Sequence, residues 1–182
     1  MGFLISATAV SASDTFKRIK DTINVIVDEY GVSRIRYGLV VYAREAVRRL
    51  GFGQESADID SLKAAILYIQ RPSGDPNLQG ALEAAQNLFD SEPARPGVKR
   101  VLVVITDQKS TSREEDVKRA LIPLEDEDIK IVTVAVGSSA DPLELERIAS
   151  NKGYQTEVKR DMDPDTTAEK IMDKVLKGIG VV

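Results

Sequence analysis

The chain contains no histidine and no cysteine among its 182 residues. The first absence removes Ser-His-Asp and Cys-His catalysis and every imidazole metal ligand. The second removes thiol nucleophiles, thiolate zinc sites and disulfides. Any chemistry must come from carboxylates, hydroxyls, Lys, Arg, Tyr or backbone amides. Cysteine usage therefore does not report the redox compartment. No apolar run approaches the ~20 residues that a bilayer span needs, so no membrane insertion is expected. Prolines and glycines are few (7 and 12), against 42% hydrophobic and 30% charged residues. This balance excludes a disordered tail, a collagen repeat and a small disulfide scaffold, and fits a single domain over residues 1–182 with a core of ordinary size. The net charge of −4, from 25 basic and 29 acidic residues, gives no general attraction to nucleic acid or an anionic membrane.

Short apolar runs alternate with amphipathic stretches. Phe3–Ala9 reads as a doubly buried strand. Met1-Gly2-Phe3-Leu4-Ile5-Ser6 also matches the loose myristoylation pattern, and it lacks the basic lead-in of a signal peptide. The strand is the better reading, with Met1-Gly2 a start cut at a domain edge and any targeting signal elsewhere in a longer protein. Over Asp14–Tyr30, Phe16, Ile19, Ile23, Ile26 and Tyr30 recur at helical spacing, with Ser13 or Asp14 as N-cap and Gly31 as the stop. Arg34–Ala43 and Ala46–Gly51 are strands, the second charged enough to suit a sheet edge. Helices are expected over Ile59–Ile69, Leu78–Phe89, Glu114–Leu121 (ended by Pro123), Pro142–Ser150 and Thr166–Leu176. Strands are expected over Val101–Thr106, Ile129–Val136 and Tyr154–Val158. The order implies an open, mostly parallel sheet covered on both faces, whose ligands sit beyond the carboxyl ends of the strands. That singles out the loops Ser6–Asp14, Arg71–Asn77, Asp107–Ser112 and Gly137–Asp141.

The enzymes of this architecture each lack a required residue. No Gly-x-Gly-x-x-Gly follows the first strand, no Gly-Lys-Ser/Thr is present, no Gly-x-Ser-x-Gly elbow exists, and the first strand carries no acidic cluster.

The surviving pattern resembles the von Willebrand factor type A domain over nearly the whole chain. Six pieces occur in the family's order: Phe3-Leu4-Ile5 before a small-residue loop; Arg36–Ala43, similar to R-x-G-x-V-x-(Y/F); Gly74-Asp75-Pro76-Asn77 before Gly80-Ala81-Leu82; Val101–Asp107; Ile131–Gly137; and Leu143-Leu145-Ile148-Ala149. The resemblance implies a Rossmann-like three-layer sandwich with one antiparallel edge strand and about six helices.

It also implies a metal-ion-dependent adhesion site made of D-x-S-x-S, a Thr in the middle loop and an Asp after the fourth strand, where oxygens hold Mg²⁺ and leave a position open for a partner's acidic side chain. On this chain Ser6 stands at the first Asp, Thr8 at the first hydroxyl, Val10 at the second and Pro76 at the Thr. Only Asp107 matches, with Asp75 a substitute carboxylate one residue early. Mg²⁺ demands near-octahedral oxygens, so the expected site carries no cofactor. The alternative is a weak or rearranged Mg²⁺ site at Asp107, Thr8, Ser6 and Asp75, helped by Ser11. Partner contacts are then expected from Ser6, Thr8, Ser11, Asp75, Asn77 and Asp107.

Other charged features read as solvated surface: Arg34, Arg36, Arg44, Arg48 and Arg49 along one flank, Lys99-Arg100, and the acidic Leu124–Asp128 run. The Tyr and Phe residues fall mostly on inward stripes. The function expected from the resemblance is a secreted, non-enzymatic protein-binding module of an extracellular matrix or adhesion protein, with partners such as collagens, no nucleic acid, and neighbouring domains in a longer protein. The alternatives are an intracellular scaffold of the same fold, which the absence of cysteine and of an N-x-S/T sequon also suits, and an enzyme on a Rossmann-like sheet.

Overall fold

The computed structural model describes residues 1–8, 13–53 and 58–181. Its sheet is built from β1 (Gly2–Ser6), β2 (Gly38–Tyr42), β3 (Ala46–Leu50), β4 (Val101–Thr106), β5 (Lys130–Val136) and β6 (Gln155–Val158), in the order β3-β2-β1-β4-β5-β6. Every neighbouring pair is parallel except β2 and β3. β1, β2 and β4 are buried at every position, which is why they read as unbroken apolar runs. β3 is the charged antiparallel edge, with Val47, Arg48 and Arg49 exposed.

Six α-helices cover the sheet among the described residues: α1 (Ser13–Arg34), α2 (Ile59–Tyr68), α3 (Leu78–Asp90), α4 (Glu114–Asp126), α5 (Pro142–Ile148) and α6 (Pro164–Gly178). The period-two alternation of the strands splits the core in two. Phe3, Ile5, Val103 and Ile105 pack with Ile19, Ile23 and Ile171 of α1 and α6. Leu4, Leu102 and Val104 pack with Leu82, Leu121 and Leu145 of α3, α4 and α5. Each such aliphatic side chain contributes about 1.5–3 kcal/mol on burial. All four Phe lie inside, as do Tyr37 and Tyr42, whereas Tyr68 is 82% exposed.

Several element ends differ from the sequence expectation. β1 stops at Ser6, the last residue paired to β4, and Ala9 lies outside the described residues. The chain leaves helical geometry at Gly31 (φ 68°, ψ 169°) as expected, but helical residues resume through Arg34. The next strand therefore starts at Gly38 rather than Arg34. Ser13 and Asp14, expected as caps, stand within the first turn of α1. Pro123 does not end α4, which continues to Asp126. A proline removes one internal hydrogen bond, but Pro123 is exposed, so the carbonyl left over faces water. Leu124 is fully buried and anchors the extra turn. α5 ends two residues before Ser150, while α6 begins at Pro164, two residues early, because the Asp163 carboxylate caps the Thr166 amide at 2.9 Å.

Two substitutions test this packing. A Cβ on Gly38 would meet Leu88 Cδ2 and Phe52 Cε1, both at 2.9 Å, whereas one on Gly51 meets nothing within 4 Å. Gly38→Ala is expected to lower the urea unfolding free energy by about 1–3 kcal/mol, and Gly51→Ala to leave it within about 0.5 kcal/mol. Pro123→Ala is expected to raise it by about 1 kcal/mol or more, by restoring a helical bond.

Candidate binding rim at the carboxyl ends of the strands

Parallel strands deliver their carboxyl ends to one edge of the sheet, so the loops after β1, β2 and β4 meet there. Ser6 and Thr106 are register partners, which sets Asp107 beside the chain leaving β1. Asp107 is fully buried. Its Oδ1 accepts the Thr8 amide at 3.0 Å, across a separation of 99 residues. The Thr8 hydroxyl donates to Gln108 Oε1 at 3.1 Å, and the Thr106 hydroxyl donates to the Gln108 carbonyl at 3.0 Å. Burial pushes the Tyr42 phenol well above its usual range, against the opposing effect of its hydrogen bond with Thr106.

The middle loop is stitched to the same edge. The Pro76 carbonyl accepts from the Thr111 amide (2.9 Å), the Ser110 hydroxyl (3.1 Å) and the Thr111 hydroxyl (3.2 Å). The Asn77 amide donates to the Ala43 carbonyl at 2.8 Å. The Asn77 side chain caps α3: its Oδ1 accepts the Gly80 amide at 3.1 Å and the Ser112 hydroxyl at 3.0 Å. Beyond Asp107, the Lys109 amide donates to the Ser139 carbonyl, and the Ser110 amide donates to Glu144 Oε2 at 3.0 Å.

The structure thus brings Ser6, Thr8 and Asp107 together. Asn77 joins the rim as a structural cap. Asp75 is exposed and lies on a shallow depression with Arg44, Gln79, Thr111 and Asp116, a depression that neither Thr8 nor Asp107 lines. Ser11 and Val10 fall outside the described residues.

Among the described residues these donors fall short of the oxygen set that Mg²⁺ takes. Asp107 already shares its carboxylate with an amide, and the Thr8 hydroxyl and Pro76 carbonyl are engaged within the protein. No group of three acidic residues that could hold a metal occurs among the described residues. Ser6 Oγ is buried and has no hydrogen-bond partner among the described residues. An aspartate at that position would set a second buried negative charge near Asp107, tolerable only with a cation between them.

Sequence reasoning singled out the loop Asp107–Ser112 but gave Ser110, Thr111 and Ser112 no role, and it did not name Glu144. The signal for the first was a cluster of hydroxyls directly after the strongest strand. The signal for Glu144 was its place beside Asp141-Pro142, a helix-start pattern. Asp141 caps α5 and pairs with Lys109 at 2.9 Å, and that lysine holds its carboxyl below the usual range. Burial pushes Glu144 up, partly offset by the Ser110 amide. Both carboxylates line one depression, yet each is bound into the scaffold. Charged features elsewhere are partly paired: Arg100 with Glu127 at 2.6 Å and Arg36 with Glu92 at 3.4 Å.

Comparison with known proteins agrees with this geometry. A family profile described as von Willebrand factor type A domain matches residues 2–174. The chain is 32% identical over 154 residues to the collagen alpha-4(VI) chain of Mus musculus, covering 84% of this chain and 6% of that one. It is 28% identical over 158 residues to the collagen alpha-1(XX) chain of Mus musculus, covering 81% and 11%. The chain therefore spans only a small part of the length of these relatives. Among solved structures, proximal thread matrix protein 1 from the mussel byssus, in a structure with its MIDAS motif occupied by zinc, superposes with a TM-score of 0.80 at 22% identity, over 98% of this chain and 45% of that one. A von Willebrand factor type A protein from Catenulispora acidiphila gives a TM-score of 0.75 at 19% identity, over 98% and 42%. The chain belongs to the von Willebrand factor type A domain family.

Proposed function

We propose that the chain is a non-enzymatic protein-binding module of a secreted matrix or adhesion protein, and that its rim recognises a matrix protein such as a collagen without a divalent cation. Family membership and the collagen relatives support the matrix setting. The observation that carries the cation-free reading is the Asp107 carboxylate, buried and held by the Thr8 amide beside a neutral Ser6.

A cation in such a rim gives a partner's carboxylate something to bind. Without it, recognition rests on exposed side chains and on the shape that the stitched loops impose. Asp75 and the exposed face of the Asn77 loop supply contacts. Ser6 and Asp107 act from beneath by fixing the loops, and Ser11 belongs to the same expected surface. A rim already held by internal hydrogen bonds loses little freedom on binding, and this favours affinity without an ion.

Two measurements test the reading. Biolayer interferometry of the chain over purified collagens and other matrix proteins is expected to give binding that is unchanged by EDTA and weakened about tenfold by Asp75→Lys, equivalent to about 1.4 kcal/mol. Binding abolished by EDTA would overturn the cation-free reading. The triple variant Ser6→Asp, Val10→Ser, Pro76→Thr is expected to show calorimetric heat with Mg²⁺ or Mn²⁺, lost on adding Asp107→Ala. The parent chain is expected to show none. No gain in the triple variant would mean that these loops do not align with the family's ligand positions.

A further inference from the structure

At the opposite end of the sheet, where β1, β2 and β4 begin, the surface holds a groove of about 280 Å³. Its floor and walls are apolar, formed by Ile35, Phe52, Phe89, Val98, Val101 and Ile179. The Phe52 and Phe89 rings meet at a tilt of 42°, with centroids 5.1 Å apart. Val98 is 47% exposed, although it follows Gly97 on a loop with free choice of a polar residue.

The rim of this groove runs against the charge of the whole molecule. Arg34, Arg36, Arg95, Lys99 and Arg100 line it, with Glu92 the one acidic residue among them, in a chain whose net charge is −4. Arg36 is paired with Glu92 and Arg100 with Glu127. Arg34, Arg95 and Lys99 form no ion pair with a described residue, although Lys99 stands near enough to Asp128 to help hold that carboxyl low.

We propose that this groove is a second docking site, for an acidic peptide segment of a partner protein that carries large apolar anchors. Charge complementarity selects the acid. The cations sit on three separate stretches (34–36, 95 and 99–100) around the apolar floor. That spread meets carboxylates distributed along an extended chain, whereas the single head group of a fatty acid would use only one stretch. The groove is also partly open to solvent, and its volume takes one or two side chains. A lipid tail favours an enclosed cavity that removes nearly all of its surface from water. Anchors in an apolar floor surrounded by charge are the usual form of a small binding hot spot.

The test uses a fluorescein-labelled peptide in which Glu alternates with Leu and Phe, the same peptide with Lys for Glu, and dodecanoate. Fluorescence anisotropy is expected to show saturable binding of the acidic peptide, weaker at high salt and at least about tenfold weaker in the variant Arg34→Glu, Arg95→Glu, Lys99→Glu. These positions are exposed, and circular dichroism checks that the variant folds. Val98→Lys, which keeps the positive charge and removes an apolar wall, is expected to weaken binding as well. NMR shift changes are expected at Ile35, Val98, Val101 and Ile179, and not at Thr8 or Thr111. Equal binding of both peptides, no binding of either, shifts confined to the other end, or dodecanoate binding in the groove where the acidic peptide does not, would each overturn the proposal. Loss of collagen binding in the Asp75→Lys variant concerns the opposite end and leaves this result independent.

Discussion

A carboxylate enclosed in a protein has to be balanced by groups that touch it, and in this chain that requirement falls on Asp107. Its Oδ1 accepts the backbone amide of Thr8. Charge-assisted bonds of this kind are stronger than neutral ones, so the Asp107–Thr8 contact helps to satisfy the charge and ties the loop after β1 to the loop after β4. The neighbouring position is then constrained. A neutral Ser6 is compatible with a single buried charge, and its orphaned hydroxyl costs about 1–3 kcal/mol. A second carboxylate would cost more unless an ion were present. On the proposed cation-free reading, a serine at the first ligand position and a rim that works without an ion go together.

The strands were legible because burial on both faces leaves a mark that needs no tertiary knowledge. Val101–Thr106 is apolar without interruption, and its bounds agree with the structure. Helix ends were less legible, since they depend on what lies around them. Pro123 breaks a helix in isolation, but here its turn is exposed and Leu124 pins the next one. The start of α6 was missed although Asp163-Pro164 is a common opening, because the apolar stripe that drew attention begins later. Gly31 was read correctly as a break, but the extra turn after it was invisible. Tyr37 helps to explain it: its buried hydroxyl donates to the Gly31 carbonyl at 3.3 Å, a contact that no local pattern encodes.

The rim was legible as a set of loops and only partly as a set of contacts. Strand order alone predicts that Thr8 and Asp107 meet, because β1 and β4 are neighbours in a parallel sheet. It does not predict that Asn77 serves as a helix cap, or that the Pro76 carbonyl gathers three donors from residues 110 and 111. Those facts follow from the height at which the middle loop crosses the edge. Asp75 shows the same limit. One residue of offset from the ligand position leaves Asp75 exposed on a depression that Arg44 also lines, and sequence spacing cannot distinguish the two outcomes.

The two ends of the sheet now have different characters for a common reason. In a parallel sheet every strand presents its carboxyl end to one edge and its amino end to the other, so loops that bind and loops that merely return are kept apart. At the carboxyl edge the Pro76 carbonyl, the Asn77 side chain and one oxygen of Asp107 are held by internal hydrogen bonds, while Asp75 stays exposed. At the amino edge the return loop Glu92–Arg100 leaves apolar groups and cations uncovered. None of the residues that line the groove at the amino edge lines the depression around Asp75 at the carboxyl edge. On the proposed cation-free reading, one edge recognises a partner through its loops while the far edge carries a basic, apolar surface, and the fold keeps the two apart.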